Sequence, residues 1–377
     1  MMAMQTMTSA QCKPATLTPG ERLVRAFTGE PIDRLPFGVG LGWQPWGETL
    51  ERWRRETDKP NLNPAYELAF DPGFVQPKLH YGMFPGFPHQ VISEDAEFTV
   101  FRDWRGITQR QRRDHGSMPE FLEHPVQTPA AWQKLKRERL QSDPARVAQD
   151  WPAFHARLTS RGEAVQVGDF PWGIFGTARD LIGAERLLTW FHDEPDTVHD
   201  MMDHLTGLWL GLIDAVAVAV RIDHVHIWED MAGKAGPLIS PRMVERFMMP
   251  CYDRIAERCR AHGVRVLSVD SDGDVRLLAP IFAAHGANMM FPFEVQAGSD
   301  AEAYRRQLPG LAIWGGLDKR ALAAGRSAID REVERAKRLA ATGRYVPMWD
   351  HLIPPDVAWT DFVYAAERLR RVCEGRA

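Results

Sequence analysis

The sequence predicts an α/β protein with a parallel sheet closed into a (β/α)8 barrel, carrying an N-terminal helical extension and a β-hairpin excursion. Two observations carry that prediction. From about Ala164 onward, short apolar runs alternate with longer amphipathic segments, the order expected of parallel strands joined by helices. The apolar runs then end in polar groups: Trp228-Glu229-Asp230, Val269-Asp270 followed by Asp272 and Asp274, Phe293-Glu294, Leu317-Asp318 and Asp350-His351. A carboxylate is too costly to bury unpaired, so such ends belong at a mouth, near water, metal or substrate. An open doubly wound sheet gathers its ligands at one switch point, whereas a closed barrel offers polar groups after many strands. The closed barrel fits better.

Taken in order, Leu35 to Leu41 is the expected first strand. Ala65 to Gly82 reads as helix and loop, and Phe84 to Pro88 as loop. Glu97 to Gln111 has two β-rich arms around Asp103 to Gly106, which predicts a hairpin leaving the barrel rather than a second domain. Its arginines, Arg102, Arg105, Arg110, Arg112 and Arg113, read as a solvated arm, with a docking surface as the sharper alternative. Trp132 to Arg161 is charged and helical. Later strands are expected at Ala164–Val167, Asp223–Trp228, Val264–Val269, Asn288–Phe293, Leu311–Trp314 and Tyr345–Met348. The clearest helix spans Pro241 to His262, where Val244, Phe247, Met248, Cys251, Ile255 and Cys259 share one face. Ser240 is its expected N-cap, Pro241 suits its first turn, and Pro250 should kink it.

Composition excludes several classes. The hydrophobic share of 44% and charged share of 25% are those of an ordinary globular chain. A net charge of -4 over 377 residues leaves no basic footprint for nucleic acid. No run of about 18 apolar residues is present, so no membrane span is expected. Leu208 to Val220, interrupted by Asp214, reads as a buried helix. Met1 to Lys13 lacks a basic segment followed by an apolar core, so residues 1–20 are expected to be a disordered tail and 21–377 a single domain. Cys12, Cys251, Cys259 and Cys373 lack CxxC spacing, which predicts reduced thiols in a cytoplasmic protein.

Three groups have competing readings. His224 and His226 point to one side of their strand and could hold a metal, but they precede the strand end and read better as buried, hydrogen-bonded histidines. Gly38, Gly40 and Gly42 miss the GxGxxG spacing of a nicotinamide loop. Trp43 and Trp46, on either side of Gln44 and Pro45, either line a pocket for an apolar or methylated substrate or pack under the hairpin.

Phe27-Thr-Gly-Glu-Pro-Ile-Asp-Arg-Leu-Pro36, Gly168 to Gly176, Trp228-Glu-Asp-Met-Ala-Gly233, Gly315-Gly-Leu-Asp318 and Asp350-His-Leu-Ile-Pro-Pro-Asp356 together resemble the uroporphyrinogen decarboxylase superfamily, from about Arg22 to Arg371. The resemblance implies a TIM barrel with its site at the C-terminal strand ends. The true decarboxylase has an arginine-rich stretch after the first strand to grip tetrapyrrole carboxylates; here Gly38 to Trp46 contains no arginine. Thiol-activating methyltransferases of the superfamily hold zinc with a His-x-Cys pair and a later Cys, where this chain has Ser268-Val269-Asp270 and Asp350-His351. The soft ligands are replaced by oxygen and imidazole, which suits a harder metal or none.

The resemblance therefore implies a demethylase passing a methyl group from a small O- or N-methylated compound to a corrinoid protein. No Asp-x-His-x-x-Gly occurs, so the corrinoid is expected on a partner. Glu229, Asp270 and His351 are the expected catalytic residues, and with Asp272 they could hold a divalent metal such as zinc acting as a Lewis acid. Asp274 reads as a helix cap. Trp43, Gln44, Trp46, Phe170, Asp230, Glu294 and Asp318 are expected to contact substrate, and a homodimer is expected by family analogy. The alternatives are a decarboxylase of a smaller acid and a non-catalytic ligand-binding barrel.

Overall fold

The computed structural model describes residues 16–113 and 118–376; Cys12 and most of the expected tail lie outside them. The tail boundary nevertheless moves. Thr18 caps a helix over Pro19–Thr28, its hydroxyl accepting the Glu21 N–H at 3.2 Å while the Glu21 carboxylate accepts the Thr18 N–H at 3.0 Å. This reciprocal cap orders the chain before residue 21.

Four strands form an antiparallel sheet: β1 (Gln90–Glu94), β2 (Phe98–Arg102), β3 (Thr108–Arg112) and β4 (Glu120–Glu123). The expected hairpin is its centre, with Phe98 opposite Arg112 and Arg102 opposite Thr108. Arg105, at the hairpin turn, is not solvated. Its guanidinium lies 2.7 Å from both Asp103 and Asp180, tying the turn to the barrel helix Ile174–Ile182. Arg110 and Arg113 do face solvent, paired with Glu120 and Glu94.

The barrel sheet contains β5 (Gln166–Val167), β6 (His224–Trp228), β9 (Val266–Asp270), β10 (Met289–Phe291), β11 (Ala312–Trp314) and β12 (Tyr345–Val346), all parallel, in the order β12-β11-β10-β9-β6-β5. The short pair β7 (Ala232–Gly233) and β8 (Gly236–Pro237) projects beyond β6. Val75 bridges Val165 and supplies another barrel position. The expected first strand, Leu35 to Leu41, does not form: the chain bends at Gly38 (φ 75°) and Gly40 (φ 107°) and enters a 3-10 turn over Leu41–Trp43, so it carries no regular ladder. Phe37 O accepts the Asp71 N–H at 2.9 Å, and indoles close the seam: Trp314 Nε1 donates to Val39 O and Trp43 Nε1 to Pro347 O, each at 3.1 Å. The glycines there serve close packing. A Cβ at Gly40 would lie 2.5 Å from the Met348 sulfur, and one at Gly42 would lie 1.9 Å from Trp349 O.

Alternation along the strands decides what faces inward. His226 is level with Ser268, Trp228 with Asp270, and Phe291 with Asp270. Rings fill the interior below: Phe74 against His224 at 4.4 Å, His226 against Phe291 at 5.1 Å and Phe291 against Trp314 at 5.2 Å. The barrel is therefore packed, not hollow, beneath the layer of His226.

Outside, Ser240 caps its helix as expected, Oγ accepting the Met243 N–H at 3.3 Å. Pro250 does not end that helix. Val244–Met248 takes a π-helical turn just before Met249–Ala261, absorbing the missing proline N–H. The helix Pro195–Ala219 is longer than the expected Leu208 to Val220 and is long and apolar enough to cross a membrane by length and composition alone. Met201, Met202, Leu205, Trp209 and Ile213 bury one side of it in the barrel core.

Candidate functional site

Acids and one imidazole collect at the C-terminal ends of the barrel strands. Asp270 ends β9, and its main-chain carbonyl accepts the N–H groups of Glu229 at 2.8 Å and Asp230 at 3.1 Å. Those two bonds pin the loop after β6 to the end of β9. The Asp270 carboxyl has no ion-pair partner among the described residues. Burial pushes its pKa well above the carboxylate range, and the Asp272, Asp230 and Asp169 charges add to that. Asp272 is pushed up to about 7, by burial first and then by Asp230 and Glu294, with Lys319 opposing. His351 follows the last strand, its Nε2 3.7 Å from Asp272 Oδ2. Burial and the Lys319 ammonium lower its pKa, so the neutral imidazole prevails near pH 7. Trp46 stacks on His351 with ring centroids 6.2 Å apart and remains 39% exposed, so the pair forms one wall of the mouth.

The expected site residues divide sharply. Asp230 is at the mouth, paired with Arg179 at 2.7 Å. Glu294 accepts the Gly273 N–H at 3.2 Å, and Lys319 Nζ sits 3.6 Å from both Glu294 and Asp350. Phe170 stands 40% exposed, edge-on to Trp228 at 4.8 Å. Gln44 is exposed near Trp46, and its carbonyl accepts the Ile353 N–H at 2.9 Å.

Three expected residues are not in the site. Trp43 is 1% exposed and packed against Phe37, Phe70 and Phe362, so it belongs to the core. Asp318 turns to Arg320, which it meets at 2.7 Å; despite burial, the bonds from Arg320 lower its pKa. Glu229 is the clearest correction. It is fully buried and accepts the N–H groups of Ile174 at 3.0 Å, Phe175 at 2.7 Å and Gly176 at 3.1 Å, and the Tyr252 hydroxyl at 2.6 Å. Its oxygens are spent on the start of a helix, where the dipole favours an anion. Burial nevertheless raises its pKa to about 7, against the pull of those donors.

Glu229 is thereby lost to the expected metal set. Among the described residues, no three His, Cys, Asp or Glu side chains converge as ligands for one ion. Asp270, Asp272 and His351 are suited to holding and moving protons. Asp274 is also settled: it accepts the Arg276 N–H at 3.1 Å and pairs with the Arg276 side chain at 2.5 Å, capping the turn that leads to Ala279–Ala284. Sequence reading missed Asp169, Arg179 and Lys319. Asp169 lies two residues past the end of β5 and Lys319 directly follows the strand-end acid Asp318, so both could have been found by that rule, whereas Arg179 lies within a helix and gave no signal.

A groove of about 1130 Å³ opens beside the mouth. Phe170, Trp228, Asp230 and Arg179 line its inner side, and Arg105, Phe121 and Leu122 of the antiparallel sheet line its outer side.

The sequence from 106 to 371, more than half of the chain, matches the model of the uroporphyrinogen decarboxylase (URO-D) family. The chain belongs to the URO-D family. A methyltransferase from Methanosarcina mazei has a similar solved structure, with a TM-score of 0.58 and 17% identity, over 95% of this chain and 99% of that one. At that identity the likeness is one of fold. Comparison with curated proteins gave no match. Membership of the URO-D family accounts for the barrel and for the site lying at the C-terminal strand ends.

Proposed function

We propose that this URO-D family member is a methyltransferase that takes a methyl group from a small O- or N-methylated compound and passes it to the corrinoid of a partner protein. The observation that carries this reading is the set Asp270, Asp272 and His351: two carboxyls held toward their protonated forms beside an imidazole held neutral. When a methyl ether is cleaved, the C–O electron pair stays on oxygen and the methyl carbon accepts an electron pair from the reduced corrinoid. The oxygen must then gain a proton. In this reading Asp270 gives it, and Asp272 and His351, 3.7 Å apart, restore it from solvent. No metal is needed for that step.

The surroundings support the reading. Trp46 offers an apolar wall beside His351. The groove, at about 1130 Å³, exceeds the roughly 300–1,000 Å³ of ordinary small-molecule sites and suits approach of a large acceptor. A carboxylate substrate would be poorly served, because Arg179 is engaged by Asp230 and Lys319 lies between Glu294 and Asp350. That weighs against the decarboxylase alternative. Incubating the protein with cob(I)alamin and a panel of methyl ethers and methylamines tests the reading. Methylcobalamin should form, seen by absorbance, and Asp270→Asn should slow it by about 10²-fold or more. Release of CO2 from a carboxylic acid, with no methyl transfer from any compound, would replace it with the decarboxylase.

A further inference from the structure

Ser268 stands between two buried imidazoles to which the methyl-transfer reading gives no role. Its Oγ lies 2.6 Å from His224 Nε2 and 2.8 Å from His226 Nδ1. A serine hydroxyl has one hydrogen. Its oxygen could accept from both rings only by leaving its own hydrogen unpaired, since Oγ is buried and has no third hydrogen-bond partner among the described residues; one imidazole therefore donates and the other accepts. The rings therefore cannot choose tautomers independently: either both carry hydrogen on Nε2, or both carry it on Nδ1. Burial keeps both neutral, His224 far below the usual histidine value and His226 at about 4, where only the Asp169 carboxylate pulls upward.

His224 Nδ1 decides between the two states. It is sealed from solvent with no hydrogen-bond partner, in a ring whose centroid lies 4.4 Å from that of Phe74. Hydrogen on that nitrogen would be an orphaned buried N–H, the rarer and costlier kind of unpaired group. An N–H to ring contact offsets little of that cost. The Nε2–H pair is favoured. His224 then donates to Ser268, Ser268 donates to His226 Nδ1, and His226 carries its hydrogen on Nε2. His226 keeps 4% exposure, and its Nε2 has no hydrogen-bond partner among the described residues. It faces the barrel interior one layer beneath Asp270, since its register partner Ser268 precedes Asp270 by two residues on β9.

We propose that the His224–Ser268–His226 chain fixes His226 as an Nε2–H donor to the lone pair of the substrate heteroatom, selecting neutral methyl ethers and amines over quaternary ammonium compounds, which offer no lone pair. The identity of the accepting group rests on the methyl-transfer reading; the tautomer does not. Long-range proton–nitrogen correlation spectra of the full chain labelled with ¹⁵N-histidine read the tautomers without any substrate. Both rings should be neutral and protonated on Nε2. Protonation of both on Nδ1, or an imidazolium at neutral pH, would overturn the proposal. In Ser268→Ala the His226 signal should become that of mixed tautomers, and an unchanged pattern would remove Ser268 from its role. In the cobalamin assay Ser268→Ala should raise KM for a methyl ether about tenfold with kcat less affected, and faster turnover of a quaternary ammonium than of an ether would overturn the selectivity.

Discussion

Trp43 and Trp46 stand three residues apart and behave as different kinds of residue. Trp43 is sealed among Phe37, Phe70 and Phe362, so Trp43→Ala should cost about 3–5 kcal/mol in denaturant unfolding. Trp46 stacks on His351 at the rim, so Trp46→Ala should leave stability within about 0.5 kcal/mol and raise the substrate KM. The sequence showed both tryptophans but not which way each turns, because the glycine-rich segment holding them has no helical or strand period. The positions of Asp270 and His351 at strand ends were legible, since each follows an apolar run. Glu229 and Asp230 were legible only as a pair. Asp230 adopts φ 42°, and that left-handed turn sends one carboxylate inward to a helix and the other to the mouth. Asp272 has a pKa raised to about 7, so the stabilising contribution of its protonated form is present below its ordinary value of 3.8 and lost as pH rises through about 7. Asp272→Asn should therefore make the protein more stable than wild type at pH 8, measured by thermal unfolding, while slowing turnover.

Among elements, the helix Ile174–Ile182 depends on a residue far away in sequence. Its first turn has no side-chain cap of its own, and Glu229 fills that place from the loop after β6. Glu229→Gln keeps the volume but sets an amide NH2 against backbone donors, and should cost about 2–4 kcal/mol in unfolding free energy. Such a cap leaves no local sequence signature, which is why Glu229 looked like a site acid. The hairpin β2–β3 was readable from its alternating residues; β1 and β4 were not, because both are exposed along their whole length and carry no buried face to set a pattern. Arg105 holds this sheet to the barrel. Arg105→Ala would strand Asp103 and Asp180, both buried, and hydrogen exchange in β2 and β3 should quicken while the barrel strands stay protected.

For the whole molecule, the parallel barrel was legible because strand and helix periods alternate over the latter part of the chain, and the expected strands β5, β6 and β9 to β12 all form. The closing seam was not legible, since indole hydrogen bonds from Trp43 and Trp314 replace a backbone ladder there. In the proposed reaction the acids of the mouth supply a proton, and among the described residues no three side chains converge on one metal ion. The direct measurement is the rate of methylcobalamin formation from a methyl ether after exhaustive chelation, followed across pH. Activity should survive chelation and fall as pH rises through about 7, where Asp272 loses its proton. Activity abolished by chelation and restored by zinc would contradict it.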